Sequence, residues 1–529
     1  MTTPIPPTPY SSSPRPSIDS LSSGRQSPIQ EVDPSAALIL APEPGDHDEL
    51  DEDAAAFEFL SSSDDDSQDE GLDGPLGRTT GGPWSSVPPL SSLAVFLYLL
   101  SPLLKLGALL SSSVGDVQPL KITLPALFFF ASVCALTRQI WYILARYVRK
   151  PDMEEILLQA IARGAGRGRE GERKRRWIKF VVQSGTGLVR LLLISLYLRA
   201  STDAVIPLLP PRVAGFLPSR PLFSVLFALI ALPLSLAPST SLGATTVLSA
   251  TWLSVAAYIA WVAGTAYAHA KHFPIPSPAD NGADGSLGAL WQGLSVVAFT
   301  FATSSTLPLY SALRSSSGGF GSSKPRRSRS FKLLSLGSIA LAVALILPPT
   351  LFRLAGTSPV STLPFNCIMA FLSAAVLVFG IPSVLVTAPA LPVPLAIRRH
   401  VNHLVVSRVI LLAVSLGISL TSSGFVRVTS DILLFLAFLG TFTVPALLHI
   451  VIHNLRRPLS IVMPPTTPRP GTLSRSDSHN DELLQRKERT LQRRRWTKRL
   501  LWDIGVWVLL LPVGGGGVAW AVGRLAGKW

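Results

Sequence analysis

The sequence predicts an all-α integral membrane protein of about eleven transmembrane helices behind a disordered amino-terminal tail. Three observations predict it. Of 529 residues, 48% are hydrophobic and only 15% charged, where a soluble globular chain carries about a quarter charged residues. Apolar runs close to the roughly twenty residues that a helix needs to cross hydrocarbon recur along the chain. The connectors between these runs also alternate. Most alternate ones are crowded with Lys and Arg, and those between are mostly short, neutral or mildly acidic.

Residues 1–84 are rich in Ser, Pro and Asp and nearly free of aromatics. Such a segment buries too little surface to offset its chain entropy, so it is expected to be a disordered cytosolic tail. A short apolar patch at 54–60 inside its acidic stretch reads as a fluctuating helical turn or as a docking motif for a cytosolic partner. No short apolar run follows a basic start, which excludes a cleavable signal and leaves the first span to act as one.

Residues 85–529 are expected to form a polytopic transmembrane domain. Its candidate spans are 90–110, 122–144, 180–198, 222–236, 242–268, 287–309, 333–352, 364–391, 404–420, 428–452 and 500–522. Basic connectors fall at 146–176, 314–329, 398–408 and 456–499. Positive connectors resist translocation, so these four belong in the cytosol. An odd count then puts the amino terminus inside and the carboxyl terminus outside. The fourth span is short and follows a Pro-rich lead-in at 207–221; were it to dip in and return, every later orientation would invert. Within the basic connector 455–499, the stretch 481–499 reads as a charged helix. Ser474, Ser476 and Ser478 beside it are candidates for phosphorylation.

The net charge of +15 lies in connectors that flank apolar spans. It reads as topology and contact with the lipid bilayer, and excludes nucleic acid as a partner. Cys134 and Cys367 both sit in apolar runs, which rules out a disulfide scaffold and a Cys-ligated metal. His449 and His453 lack a third ligand, so no metal site is expected. With no nucleophile triad, carboxylate pair or nucleotide loop, the chain has no catalytic residues and needs no cofactor beyond a coupling proton or sodium ion.

Charged or strongly polar residues within spans are costly and mark functional candidates. Arg190, with Gln183 two turns earlier, either holds a substrate carboxylate or fixes a packed helix bundle. Arg138 reads as snorkelling to the cytosolic end. Lys105 follows Ser101 and Pro102, where proline removes a helical hydrogen bond. It either lies at a break in the first span or snorkels to the outer interface. The sixth span carries a run of hydroxyls, Thr300, Thr303, Ser304, Ser305 and Thr306, before Pro308, the best local candidate for an unwound segment. The eighth span holds a second break, Gly-Ile-Pro-Ser at 380–383. Gly514 to Gly517 in the last span permit close helix contact.

The run LSVVAFTFATSSTLPLY at 294–310 resembles the sixth-span pattern of the amino acid/auxin permease family. Residues 381–399 and 408–450, the latter ending FTVPALLHI, are similar to its eighth to tenth spans. The resemblance covers roughly the later half of the chain. It implies a fold similar to the leucine-transporter architecture, two inverted five-helix repeats with broken first and sixth helices lining the substrate site. On that resemblance Thr300, Phe301, Thr303 and Ser304 line the site; Ser101, Lys105 and Arg190 are further substrate-binding candidates from their own placement within spans. Where the family has a Gly-rich break in the first span, this chain has Ser91, Ser92, Ser101 and Pro102.

The expected function is therefore secondary active transport of amino acids or similar small solutes, by alternating access, coupled to a proton or sodium gradient across the vacuolar or plasma membrane. The alternative is a non-transporting membrane sensor or scaffold derived from a transporter fold.

Overall fold

The structure is a computed structural model that describes residues 90–113, 120–148, 153–162, 169–208, 212–213, 217–236, 242–271, 287–302, 306–313, 327–354, 363–391, 403–452 and 502–527. The amino-terminal tail, its apolar patch, the phosphorylation candidates and the charged helix expected at 481–499 lie outside these residues. The described residues belong to one compact unit, Gly81–Trp529.

Apart from a two-residue antiparallel pair, β1 (Arg212–Val213) with β2 (Leu217–Pro218), the described elements are helical. In chain order they are α1 (Ser92–Ser113), α2 (Leu120–Val148), α3 (Met153–Ala162), α4 (Arg169–Val205), α5 (Ser219–Ser235), α6 (Thr245–Ala270), α7 (Leu287–Thr300), α8 (Leu307–Ala312), α9 (Arg327–Leu354), α10 (Leu363–Val378), α11 (Ile381–Val386), α12 (His403–Ser419), α13 (Ser423–Phe438), α14 (Val444–Ile450) and α15 (Gly516–Leu525). Eight stretches are long and apolar enough to cross a membrane. Three shorter apolar helices, Ser219–Ser235, Leu290–Thr300 and Leu404–Ser419, fall where the fourth, sixth and ninth spans were expected. Large apolar side chains such as Phe128, Leu229, Leu333 and Leu511 stand exposed on the outside of the bundle, as a lipid solvent allows. The chain is a multi-pass membrane protein.

Helices dominate because hydrocarbon supplies no partner for a backbone amide, so each span must satisfy its own. Prolines test this rule. Pro102 lies inside a continuous α1. Pro512 lies inside a π-helical stretch, Leu509–Gly515, and Pro445 follows another, Leu439–Thr443. Widening to the π pitch absorbs a missing N–H locally.

Contacts at the helix ends fix the relative direction of the spans. Leu90 N donates to the Ala312 carbonyl at 2.6 Å, and Tyr98 Oη donates to the Leu242 carbonyl at 2.6 Å. Tyr142 and Phe331 both pack edge-on to Tyr310, at 5.1 and 5.2 Å. The starts of the first, fifth and seventh spans thus share one face with the ends of the second and sixth. At the opposite face His269 stacks on Phe352, and Arg524 pairs with Asp431 at 3.0 Å. The fourth span must therefore cross completely, or Leu242 would emerge on the wrong side. At 17 residues α5 reaches about 26 Å, enough to cross.

Helix packing repeats with a period of five spans. α1 on α9 (first on seventh) is matched by α7 on α2 (sixth on second), and α6 on α10 by α13 on α4. Likewise α1 on α6 is matched by α7 on α13, α4 on α12 by α5 on α11, and α2 on α14 by α9 on α6. Because five crossings separate equivalent helices, the second set is inverted relative to the first. This is the two-repeat architecture expected from the sequence.

Two local departures appear. The connector expected after the second span contains α3, whose Ile156, Leu157 and Ala160 are buried and which packs on α4; at ten residues it is too short to have read as a span. α4 extends well beyond hydrocarbon thickness, so that Arg173, Lys174, Arg175 and Arg176 stand exposed with Trp177 and Phe180, residue types suited to the headgroup layer.

The glycines of the last span permit close approach as expected. A Cβ at Gly517 would lie 2.3 Å from the Phe438 ring, whereas at Gly424 it would meet open space. Gly517→Val is expected to cost about 1–3 kcal/mol by overpacking, read as a lower melting temperature in detergent. Gly424→Ala should leave that temperature unchanged.

Candidate functional site

The sixth span is interrupted at its buried centre. α7 ends at Thr300, and the chain tightens through Phe301 N to the Ala298 carbonyl at 3.2 Å and Ala302 N to the Phe299 carbonyl at 3.0 Å. Helix resumes at Leu307, with Pro308 in the first turn of α8, a position where a missing N–H costs nothing. Thr300 and Phe301 are both buried, and Phe301 is 0% exposed. Phe301 shares one apolar cluster with Leu97, Leu100, Leu103 and Leu104 of α1, and α7 and α8 both pack on α1, so the interruption adjoins the first span. Thr303 and Ser304, expected to line the site, lie outside the described residues.

The first span does not break. α1 runs continuously through Ser101, Pro102 and Lys105, correcting the expectation of paired breaks. The reason is visible in its surroundings. Arg138 of α2 is 3% exposed and donates to the Leu99 carbonyl at 3.0 Å, to Ser338 Oγ at 2.9 Å and to the Ser335 carbonyl at 3.5 Å. It ties α1 to α9 beside the proline and does not snorkel, another correction. Ser101 Oγ is buried in the same turn without a hydrogen-bond partner.

Lys105 does not snorkel either. Its side chain is 1% exposed and enters the gap between α10 and α11, where Nζ donates to the Gly380 carbonyl at 3.2 Å and to Ser383 Oγ at 3.0 Å. The Ser383 hydroxyl in turn donates to the Gly380 carbonyl at 2.9 Å. Gly380 leaves room for this side chain, since a Cβ would fall 2.5 Å from Lys105 Cε and displace it. Arg190 holds the other end of the same short helix by donating from Nη1 to the Thr387 carbonyl, which favours the packing reading over a carboxylate. Gln183 turns away from Arg190 and donates to Glu154 Oε2 of α3 at 3.2 Å.

The candidate residues therefore divide into two groups. Thr300 and Phe301 belong to the interrupted sixth span that packs on α1, and Ser101 is buried within α1. Lys105 and Arg190 bracket α11. Arg408 was visible in the sequence only as part of a basic connector, yet it is buried and donates to the Ser235 carbonyl at the end of α5 at 2.9 Å. Among the described residues no group of three His, Cys, Asp or Glu is placed to hold a metal ion.

Arg190→Gln leaves the Thr387 carbonyl without its charged donor. It is expected to lower folded stability by about 1–3 kcal/mol, measured as melting temperature and detergent-soluble yield, while Arg173→Gln on the exposed end of α4 should change neither. A normally folded Gln variant that binds acidic solutes poorly would return Arg190 to a carboxylate-binding role.

No family model and no curated protein matches the sequence. Among solved structures the chain is similar to a manganese transporter of Eremococcus coleocola, in a mutant form, with 12% identity and a TM-score of 0.39 over 84% of this chain and 98% of that one. Likeness that shallow fixes neither fold nor cargo.

Proposed function

We propose that this protein is a secondary active transporter moving amino acids or similar small solutes by alternating access between its two five-span repeats. The observation that carries this reading is the interruption of the sixth span in the buried centre, adjoining α1. Irregular backbone at membrane depth is tolerated where protein or a solute path covers it, and inverted repeats with interrupted helices place their substrate there. The carbonyl end of α7 suits an α-ammonium group, and the hydroxyls of Ser101, Thr300, Thr303 and Ser304 suit a small polar solute. The resemblance of 294–310 to the amino acid/auxin permease pattern points to the same substrates. A proton or sodium gradient would supply the driving force, in a vacuolar or plasma membrane with the amino terminus in the cytosol.

One observation favours the second reading, a sensor or scaffold that does not transport. α1 is unbroken, and its contact with the sixth span is tightly packed. The two readings part in one experiment. Proteoliposomes containing the full chain should accumulate a labelled amino-acid mixture when a proton or sodium gradient is imposed. No accumulation by folded protein would leave the sensor or scaffold.

If the interruption lines the path, Thr303→Trp or Ser304→Trp should reduce uptake by at least about tenfold, equivalent to about 1.4 kcal/mol, with membrane insertion intact. Unchanged uptake in both variants would remove these residues from the site.

A further inference from the structure

We propose that Lys105 Nζ is the group that takes and releases the coupling proton, with the break between α10 and α11 as its seat. The proposal rests on the transporter reading. Among the described residues Lys105 makes no ion pair, and the seat offers Nζ two acceptors, the Gly380 carbonyl and Ser383 Oγ. A neutral amine has two N–H bonds to give, whereas an ammonium has three. The closed seat therefore fits the neutral amine and leaves an ammonium one acceptor short in a dry interior, where an unsatisfied charged donor is expensive.

Among the described residues the surrounding helices supply no compensating anion. Arg190 and Tyr197 come from α4, the first bonded to Thr387 and the second in one apolar cluster with Leu106 and Ile381. From α6 comes Tyr258, whose hydroxyl approaches Gly107, and from α2 Arg138, bonded to Leu99. None is a carboxylate. Protonation accordingly requires water to reach Nζ, which happens when α1 parts from the α10–α11 break. A proton from water on the open side adds to the nitrogen lone pair. While α1 and the break are still apart the path switches to the other side of the membrane; there the N–H bond breaks, the electron pair stays on nitrogen, and the proton leaves to water before the seat closes again. Proton occupancy is thereby tied to whether the first and eighth spans are together or apart, and this converts a proton gradient into a bias on conformation.

The test begins without transport. Purified full-length protein and its Lys105→Met variant are titrated between about pH 9 and about pH 5, a range in which an ordinary lysine stays protonated. The wild-type protein should take up about one more proton per chain than the variant. Equal uptake overturns the proposal. Should Lys105→Met fail to fold, Ser383→Ala removes one acceptor and should move the midpoint of that extra proton; an unmoved midpoint overturns the proposal equally. Proteoliposomes loaded with a pH-sensitive dye complete the test. Wild-type uptake should acidify the lumen, and Lys105→Met should abolish that acidification. Solute-linked acidification that survives in Lys105→Met sinks the Lys105 assignment, whereas an extra titrating proton with no solute movement sinks the transporter reading alone.

Discussion

The structure depends on how backbone carbonyls freed inside the bilayer find donors. Every interrupted or ending helix exposes carbonyls that have no intrahelical partner, and hydrocarbon offers none. This chain meets the constraint with basic side chains. Arg190 reaches Thr387 and Arg408 reaches Ser235 at helix ends, while Arg138 gives second bonds to Leu99 and Ser335 inside helices and Lys105 reaches Gly380 at the start of α11. Apart from Arg138 on Leu99, which joins consecutive helices, each bond joins two helices distant in sequence and sets a crossing point. The two needs offset each other, since a buried cation without an acceptor and a buried carbonyl without a donor are both costly. Carboxylates play a small part by comparison: Asp431 with Arg524 ties the last two spans at one face.

This constraint explains which parts of the fold were legible in the sequence. Spans follow from run length and loop charge, properties local to each segment. All eleven expected runs have helical counterparts, including the short fourth, whose full crossing follows from Tyr98 meeting Leu242. Interruptions were partly legible because Pro308 and the Gly-Ile-Pro-Ser run are local signals too. What could not be read was the pairing of basic side chains with carbonyls. Arg138 and Lys105 each looked able to snorkel, because distance along one helix says nothing about which other helix presents a freed carbonyl beside it. Thr443 and Gly514, where two π-helical stretches meet, left only a faint trace in their neighbours Pro445 and Pro512.

The two repeats are equivalent in packing and unequal in integrity. In the sixth span α7 ends at Thr300 and α8 begins at Leu307, while its counterpart α1 carries Pro102 and stays whole. α1 is held on one side by Arg138 at Leu99 and on the other by Lys105 at Gly380. Both tethers hold α1 against its neighbours beside the proline. The tethers also cross between repeats: Arg138 of the first binds Ser338 of the second, and Lys105 of the first binds Gly380 of the second.

A rearrangement of one repeat against the other must therefore break or stretch these same bonds. The two tethers differ in how they can yield. The Arg138 guanidinium stays charged under all ordinary conditions, so releasing it would leave a permanent buried charge, and the first-to-seventh contact is expected to move as a unit. Lys105, on the proposed assignment, sits neutral in the closed seat and takes its proton only as water reaches it, so it parts from Gly380 at lower cost. The contact between the first and eighth spans is accordingly the softer of the two junctions between repeats, and motion should concentrate there, beside the short α11 that Lys105 and Arg190 hold at its two ends.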